Sequence, residues 1–129
     1  MSHLHKNAHL FVSAIIVLAA ALVYGLNPEK ILPMFFEFKV EVLELKNIFR
    51  AVMGLYLAFA GYWFYGIFNS DHWKYSTITN VLFMGGLVFG RLISTIFDGV
   101  SLQYSLGLIG ELILLLWGIY NLKTKTDTL

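Results

Sequence analysis

Four long apolar stretches dominate this chain, and each is long enough to cross a bilayer. Leu10–Leu26 carries no charge, and neither does Ala51–Phe68, which begins directly after Arg50. Tyr75–Phe97 carries one charge, Arg91, and Ser101–Leu122 carries one, Glu111. A helix needs about 20 mainly apolar residues to span the hydrocarbon core, and in lipid every backbone polar group must be satisfied within the segment. The pattern therefore predicts an all-α fold, a four-helix transmembrane bundle with spans at roughly 9–26, 50–68, 75–97 and 101–122. Composition agrees. The chain of 129 residues is 58% hydrophobic and only 13% charged, against about a quarter charged in soluble domains. A single domain, 1–129, is the expected count.

The breaks between the stretches carry ordinary stop signals. Asn27-Pro28 ends the first span, because proline disfavours helix in the residue before it. Asn69-Ser70-Asp71 separates the second from the third, and Asp98-Gly99 is a turn dipeptide that makes the last two spans a hairpin. Lys6 followed by an apolar run and Ala19-x-Ala21 also fits a cleaved signal peptide. The run reaches Leu26, however, and an uncleaved span is the preferred reading. In the long connection 27–49, Phe36-Glu37-Phe38-Lys39-Val40-Glu41-Val42 alternates with a strand-like period. No second alternating segment exists to pair with it, so an extended lip across the bundle mouth is expected.

Several function classes fall away. The net charge is +1 with no basic cluster, which argues against nucleic acid as a partner. There is no cysteine, so disulfides, thiolate metal sites, iron–sulfur clusters and cysteine nucleophiles are excluded. No nucleophile triad, P-loop or dinucleotide fingerprint is present. His3, His5 and His9 cluster near the N-terminus, and the last two are one helical turn apart. Third and fourth ligands are missing, so no metal and no cofactor are expected. His72 reads as an interfacial residue beside Trp73. Trp63, Trp73, Tyr75, Trp117 and Tyr120 read as an aromatic belt on the side that holds the termini.

The charges inside the spans are the informative residues. Charged groups in a membrane are costly, so they face the bundle interior and find partners. Arg50 opens the second span. Arg91 lies seven residues before Asp98, about 10 Å deep, and Glu111 lies about 15 Å into the fourth span at 1.5 Å per residue. Asn47, Ser94 and Gln103 belong to the same end. Connectivity puts all of them in one half of the membrane. Two pairs are expected: Arg91 with Glu111 on matching depth, and Arg50 with Asp98 because an arginine at a helix N-terminus calls for an anion. Gly54, Ala58 and Gly61, then Gly86 and Gly90, then Gly107 and Gly118 are expected to let the helices approach at this cluster.

These residues also carry a resemblance. Asn47-x-x-Arg50-x-x-x-Gly54, Gly90-Arg91-x-x-Ser94-x-x-x-Asp98-Gly99 and Glu111 make the chain similar, over most of its length, to the bacterial membrane-protein family catalogued as domain of unknown function four-three-four-five. The middle motif is the specific part. A proline often follows Asp-Gly in that family, where this chain has Val100-Ser101. The resemblance implies a small four-helix membrane protein and a polar site, and it implies no activity.

Two functional readings follow. In the first, Asn47, Arg50, Arg91, Ser94, Asp98 and Glu111 bind or conduct a small polar or anionic ligand, such as a small acid or a lipid headgroup. The pocket is expected to be gated by Asp98 and roofed by residues 34–46. In the second, the cluster only locks the bundle of an accessory subunit that pairs with a second copy or with a partner membrane protein. An intramembrane enzyme ranks third, since no nucleophile or metal set accompanies Arg91 and Glu111. With the embedded Arg50 and Arg91 left out of the count, Lys6, Lys74, Lys123 and Lys125 outnumber Lys30, Lys39 and Lys46 on the other side. The positive-inside rule then places the termini in the cytoplasm, with the protein in the inner membrane.

Overall fold

The computed structural model describes residues 2–125, and they form five helices: α1 Ser2–Gly25, α2 Pro28–Phe35, α3 Leu43–Phe68, α4 Ser70–Asp98 and α5 Leu102–Lys125. Four of them, all but α2, are long and apolar enough to cross a membrane. Their outer surface is strongly apolar, with Phe11, Leu82, Phe89, Ile96, Ile113 and Leu116 exposed. Such a surface needs lipid as its solvent. The protein is a multi-pass helical bundle, and α1 packs mainly on α3, α3 on α4 and α4 on α5.

The turns explain the boundaries. Asn27 ends α1 and starts α2: its side chain accepts from the Lys30 backbone N–H at 3.4 Å, and Pro28 follows in the first helical position. Proline is well placed there, where its missing donor would be an orphan anyway. A single residue, Asn69, joins α3 to α4. Its backbone N–H and its side-chain amide both donate to the Tyr65 carbonyl, and its own carbonyl accepts from His72 N–H at 2.9 Å. At the far end of α4 the chain reverses at Gly99, whose φ of 106° suits only a residue without Cβ.

Several boundaries differ from the sequence expectation, α1 beginning already at Ser2, and three of the differences matter most. α2 was not anticipated. α3 starts at Leu43, so Arg50 sits two turns inside the helix and not at its entrance. α4 starts at Ser70, which places His72 on a helix, 3.3 Å from the Tyr62 hydroxyl and edge-on to Tyr65. Residues 36–42 form neither helix nor strand, with extended backbone at Phe36 and Val42. Their alternation is used: Phe36, Phe38 and Val40 turn inward, while Glu37, Lys39 and Glu41 are exposed.

The core is built by Leu10, Ala14, Val17 and Ala21 of α1, Tyr56, Ala60 and Trp63 of α3, Trp73 and Met84 of α4, and Leu114 of α5. Trp63 and Trp73 belong to this core and not to an interfacial belt. Each is fully buried and each indole N–H has a partner, Thr79 Oγ1 for Trp63 and the Lys6 carbonyl for Trp73, both at 3.2 Å. A buried indole needs such an acceptor. Tyr75 and Tyr120 are exposed, as a belt requires.

Candidate functional site: an ion pair in a lateral cleft

α1 and α5 meet near the end that holds the chain termini, where His9 Nε2 lies 2.9 Å from the Leu114 carbonyl. Towards the opposite end they leave a cavity of about 340 Å³. Its floor is Val17, Met84 and Leu114, all buried, and its rim includes Ile16, Leu106 and Gly110, all exposed. The cavity thus opens sideways between α1 and α5 as well as towards Phe36 and Tyr104. A smaller adjoining cavity of about 250 Å³ shares Tyr24, Phe36, Tyr56 and Tyr104 with it and adds Phe38, Phe49 and Val52.

The ion pair expected from depth alone forms in the wall of this cavity. Arg91 Nε donates to Glu111 Oε2 at 2.7 Å and Nη2 donates to Oε1 at 2.8 Å. This is the two-bond fork that makes arginine–carboxylate pairs strong and directional. The side chains keep 21% and 14% exposure, so the pair is embedded yet reachable from the cleft. Gly107 explains the fit. A Cβ there would stand 3.4 Å from the guanidinium, so a larger side chain would crowd Arg91. Tyr104 flanks the guanidinium at 5.9 Å from its ring centroid. Thr95 Oγ1 bonds back to the Arg91 carbonyl at 2.8 Å.

The second expected pair does not form. Arg50 Nη1 donates to the Gly25 carbonyl at 3.0 Å and to the Leu26 carbonyl at 3.4 Å. With α3 beginning at Leu43, Arg50 no longer meets the positive end of its own helix. It meets the negative end of α1 instead, where a cation is favoured. Asp98 is exposed and accepts from Ser94 Oγ at 2.9 Å, one turn back on α4. Asn47 is exposed on α3. Arg50, Asp98, Ser94 and Asn47 are not among the residues that line the cavity. A pocket built on both arginines and gated by Asp98 is therefore replaced by one built on Arg91 and Glu111.

The glycines divide in the same way. Gly54, Gly61, Gly86 and Gly90 have open space where a Cβ would go and lie on the outer surface. The close approaches are at Gly25 against Met53, Gly66 against Ser76, Gly107 against Arg91 and Gly118 against His9 and Val81. The aromatic lining was missed. Phe36 stacks on Phe38 at 5.5 Å and on Tyr104 at 6.0 Å, Phe38 stacks on Phe49 at 6.1 Å, and Tyr24 stacks on Phe49 at 6.0 Å. The alternating lip was the one signal for it. Nothing in their local sequence separates Tyr24 or Tyr56 from lipid-facing aromatics. The side chain of His3 lies outside the described residues.

Fold and site together define a small multi-pass helical membrane protein with an intramembrane arginine–glutamate pair. The family model described as domain of unknown function DUF4345 matches residues 6–122, and the chain belongs to that family. Searches of curated proteins and of solved structures gave no match.

Proposed function

We propose that this protein binds a membrane-soluble amphiphile, with a polar or anionic head at Arg91 and Glu111 and an apolar body in the cleft between α1 and α5. One observation carries the reading: the ion pair lines an open, mostly apolar cavity and is not sealed between packed helices. Ligand sites are commonly cavities of about 300–1,000 Å³, mainly apolar, with a few convergent polar groups. Here the polar groups are those of Arg91, Glu111, Gln103 and the tyrosines Tyr24, Tyr56 and Tyr104, and the apolar wall runs from Ile16 to Leu114. The rim at Ile16, Leu106 and Gly110 faces the lipid-exposed surface, so the ligand's route is lateral. The bidentate contact occupies Nε and Nη2 of Arg91, and the guanidinium also donates to the Tyr24 hydroxyl, so a head group shares the remaining N–H donors with Tyr24. Phe36 and Tyr104 stack above the site and form its lid.

We also place both termini in the cytoplasm and the protein in the inner membrane, on the lysine distribution. The rival reading, an accessory subunit locked by the same pair, draws on the exposed small residues Gly54, Gly61, Gly86 and Gly90, which suit close packing against another helix.

Native mass spectrometry from mild detergent separates the two. Binding predicts a co-purifying lipid or small amphiphile on the monomer, lost in Gly110→Phe. Gly110 lines the cavity and has open space at its Cβ position, so a side chain there starts in free space, and a phenyl group is large enough to occupy the cleft. An unchanged adduct pattern in Gly110→Phe, together with a stable dimer, would favour the accessory role.

A further inference from the structure

α1 carries a second set of polar side chains in the opposite half of the bundle. His5, His9 and Ser13 are spaced four apart and share one helix face. His9 and Ser13 are fully buried, as are Asn80 of α4 and Asn121 of α5. The Leu114 carbonyl can only accept, so the His9 Nε2 facing it carries a hydrogen, and in the neutral ring Nδ1 is then an acceptor. That Nδ1 has no protein partner. Neither has Ser13 Oγ, although a helical serine commonly bonds the carbonyl one turn back. Both amide atoms of Asn80 and both of Asn121 are also unpartnered.

These groups are buried at neighbouring depths on three converging helices. The Trp73 indole N–H bonds the Lys6 carbonyl, which levels those two residues. α1 and α4 cross the membrane in the same direction, so Ser13 and Asn80, each seven residues further on, lie at one depth, about 10 Å deeper. A Cβ at Gly118 would stand 3.0 Å from the His9 ring and 2.9 Å from Val81, so α1, α4 and α5 converge there. Asn121 follows one turn later. Asn121 also lines a cavity of about 310 Å³ at the terminal end, with His5, Ala8, Trp117 and Tyr120.

In a bilayer, amides and hydroxyls left unpaired on this scale are strongly unfavourable. The partner must donate to His9 Nδ1, both donate to and accept from the amides, and be small. Water meets all three requirements. We propose that His9, Ser13, Asn80 and Asn121 line the inner end of a water-filled vestibule that enters between α1 and α5 from the terminal side. It runs past His9, whose Nε2 is held by the Leu114 carbonyl, and ends at Ser13 and Asn80, about 6 Å deeper. Val17, one turn beyond Ser13, lines the lateral cleft that holds Arg91 and Glu111. The vestibule is independent of what the lateral cleft binds.

The absence of cysteine makes a clean test available. Single cysteines at Ser13, Ala14 and Ile15 are reconstituted in liposomes and exposed to a small, impermeant methanethiosulfonate, with Ser70→Cys marking the terminal side. Thiols react as thiolates, which form in water and not in lipid. Ser13→Cys should therefore react from the terminal side at least about tenfold faster than Ile15→Cys, which faces lipid, or Ala14→Cys, which sits in the apolar core. Asn80→Cys reports the same space from another helix, so a folding failure at one position leaves the test intact. Ala8→Phe, at the mouth, should slow both without changing Ser70→Cys. Labelling of Ser13→Cys and Asn80→Cys no faster than Ile15→Cys would overturn the vestibule. Labelling from the opposite face, or no effect of Ala8→Phe, would overturn its placement.

Discussion

Arg50 donates to the Gly25 carbonyl at 3.0 Å, so a side chain from the third turn of α3 caps the end of α1. That bond ties two crossings together across the α2 connection. Arg50→Gln should lower stability by about 1–2 kcal/mol, the range of a charge-assisted bond at a helix C-terminus. Arg50→Lys should recover part of the loss, since a lysine keeps the charge without the fork. Thermal melts in detergent read both, and ligand adducts should be unaffected by either change.

Arg91 and Glu111 should behave as one unit. Glu111→Gln leaves a cation in the membrane without its counter-ion, and breaking one partner of a buried pair costs about 3–5 kcal/mol. The partial exposure of this pair sets the expectation at the lower end. Replacing both, Arg91→Met with Glu111→Leu, should cost less than either single change. A double-mutant cycle of melting measurements checks this, and additive losses would refute the coupling.

The glycines should sort by what faces them. Gly118→Ala puts a methyl group against the His9 ring and Val81, and overpacking of that kind costs about 1–3 kcal/mol. Gly54→Ala and Gly86→Ala meet open space. They should be neutral or stabilising by up to about 1 kcal/mol, the helix-propensity gain of alanine over glycine. Equal losses at all three positions would mean that the outer glycines are also packed, as they would be against a second copy.

Ligand occupancy should register in the melt. A lipid or amphiphile that binds only the folded state at a hundredfold excess over its Kd stabilises it by about 2.7 kcal/mol. A panel of anionic and zwitterionic lipids should give at least one saturable upward shift. Gly110→Phe should remove that shift and leave the unliganded melt unchanged, which distinguishes a filled site from a damaged fold.

Topology has its own test. Ser70, at the α3–α4 turn, and Glu37, on the extended lip, lie on opposite sides of a four-crossing bundle. Cysteines at the two positions should respond oppositely to an impermeant reagent in intact cells, with Ser70→Cys protected if the termini are cytoplasmic. Equal labelling would contradict the four crossings.

The sequence by itself determined the four crossings, the all-α class and the Arg91–Glu111 pair. Runs of apolar residues are a strong signal because lipid leaves the backbone no alternative to helix. Depth along two helices of a hairpin then follows from residue counting, so two charges at similar depth had to meet. Arg50 shows where counting stops. Its partner depended on where α3 begins, and Leu43–Phe49 reads equally as connection or as helix, because short polar interruptions at a membrane surface are compatible with both. Only the tertiary structure showed that the residues before Arg50 are helical and that the end of α1 lies beside it. The polar interior around His9, Asn80 and Asn121 was equally hidden. In sequence, a lone asparagine or histidine within an apolar run looks the same facing lipid, solvent or core. Which face is buried was decided by how the helices pack together, with α1 and α5 close at Gly118 and separated by the cavity at Gly110.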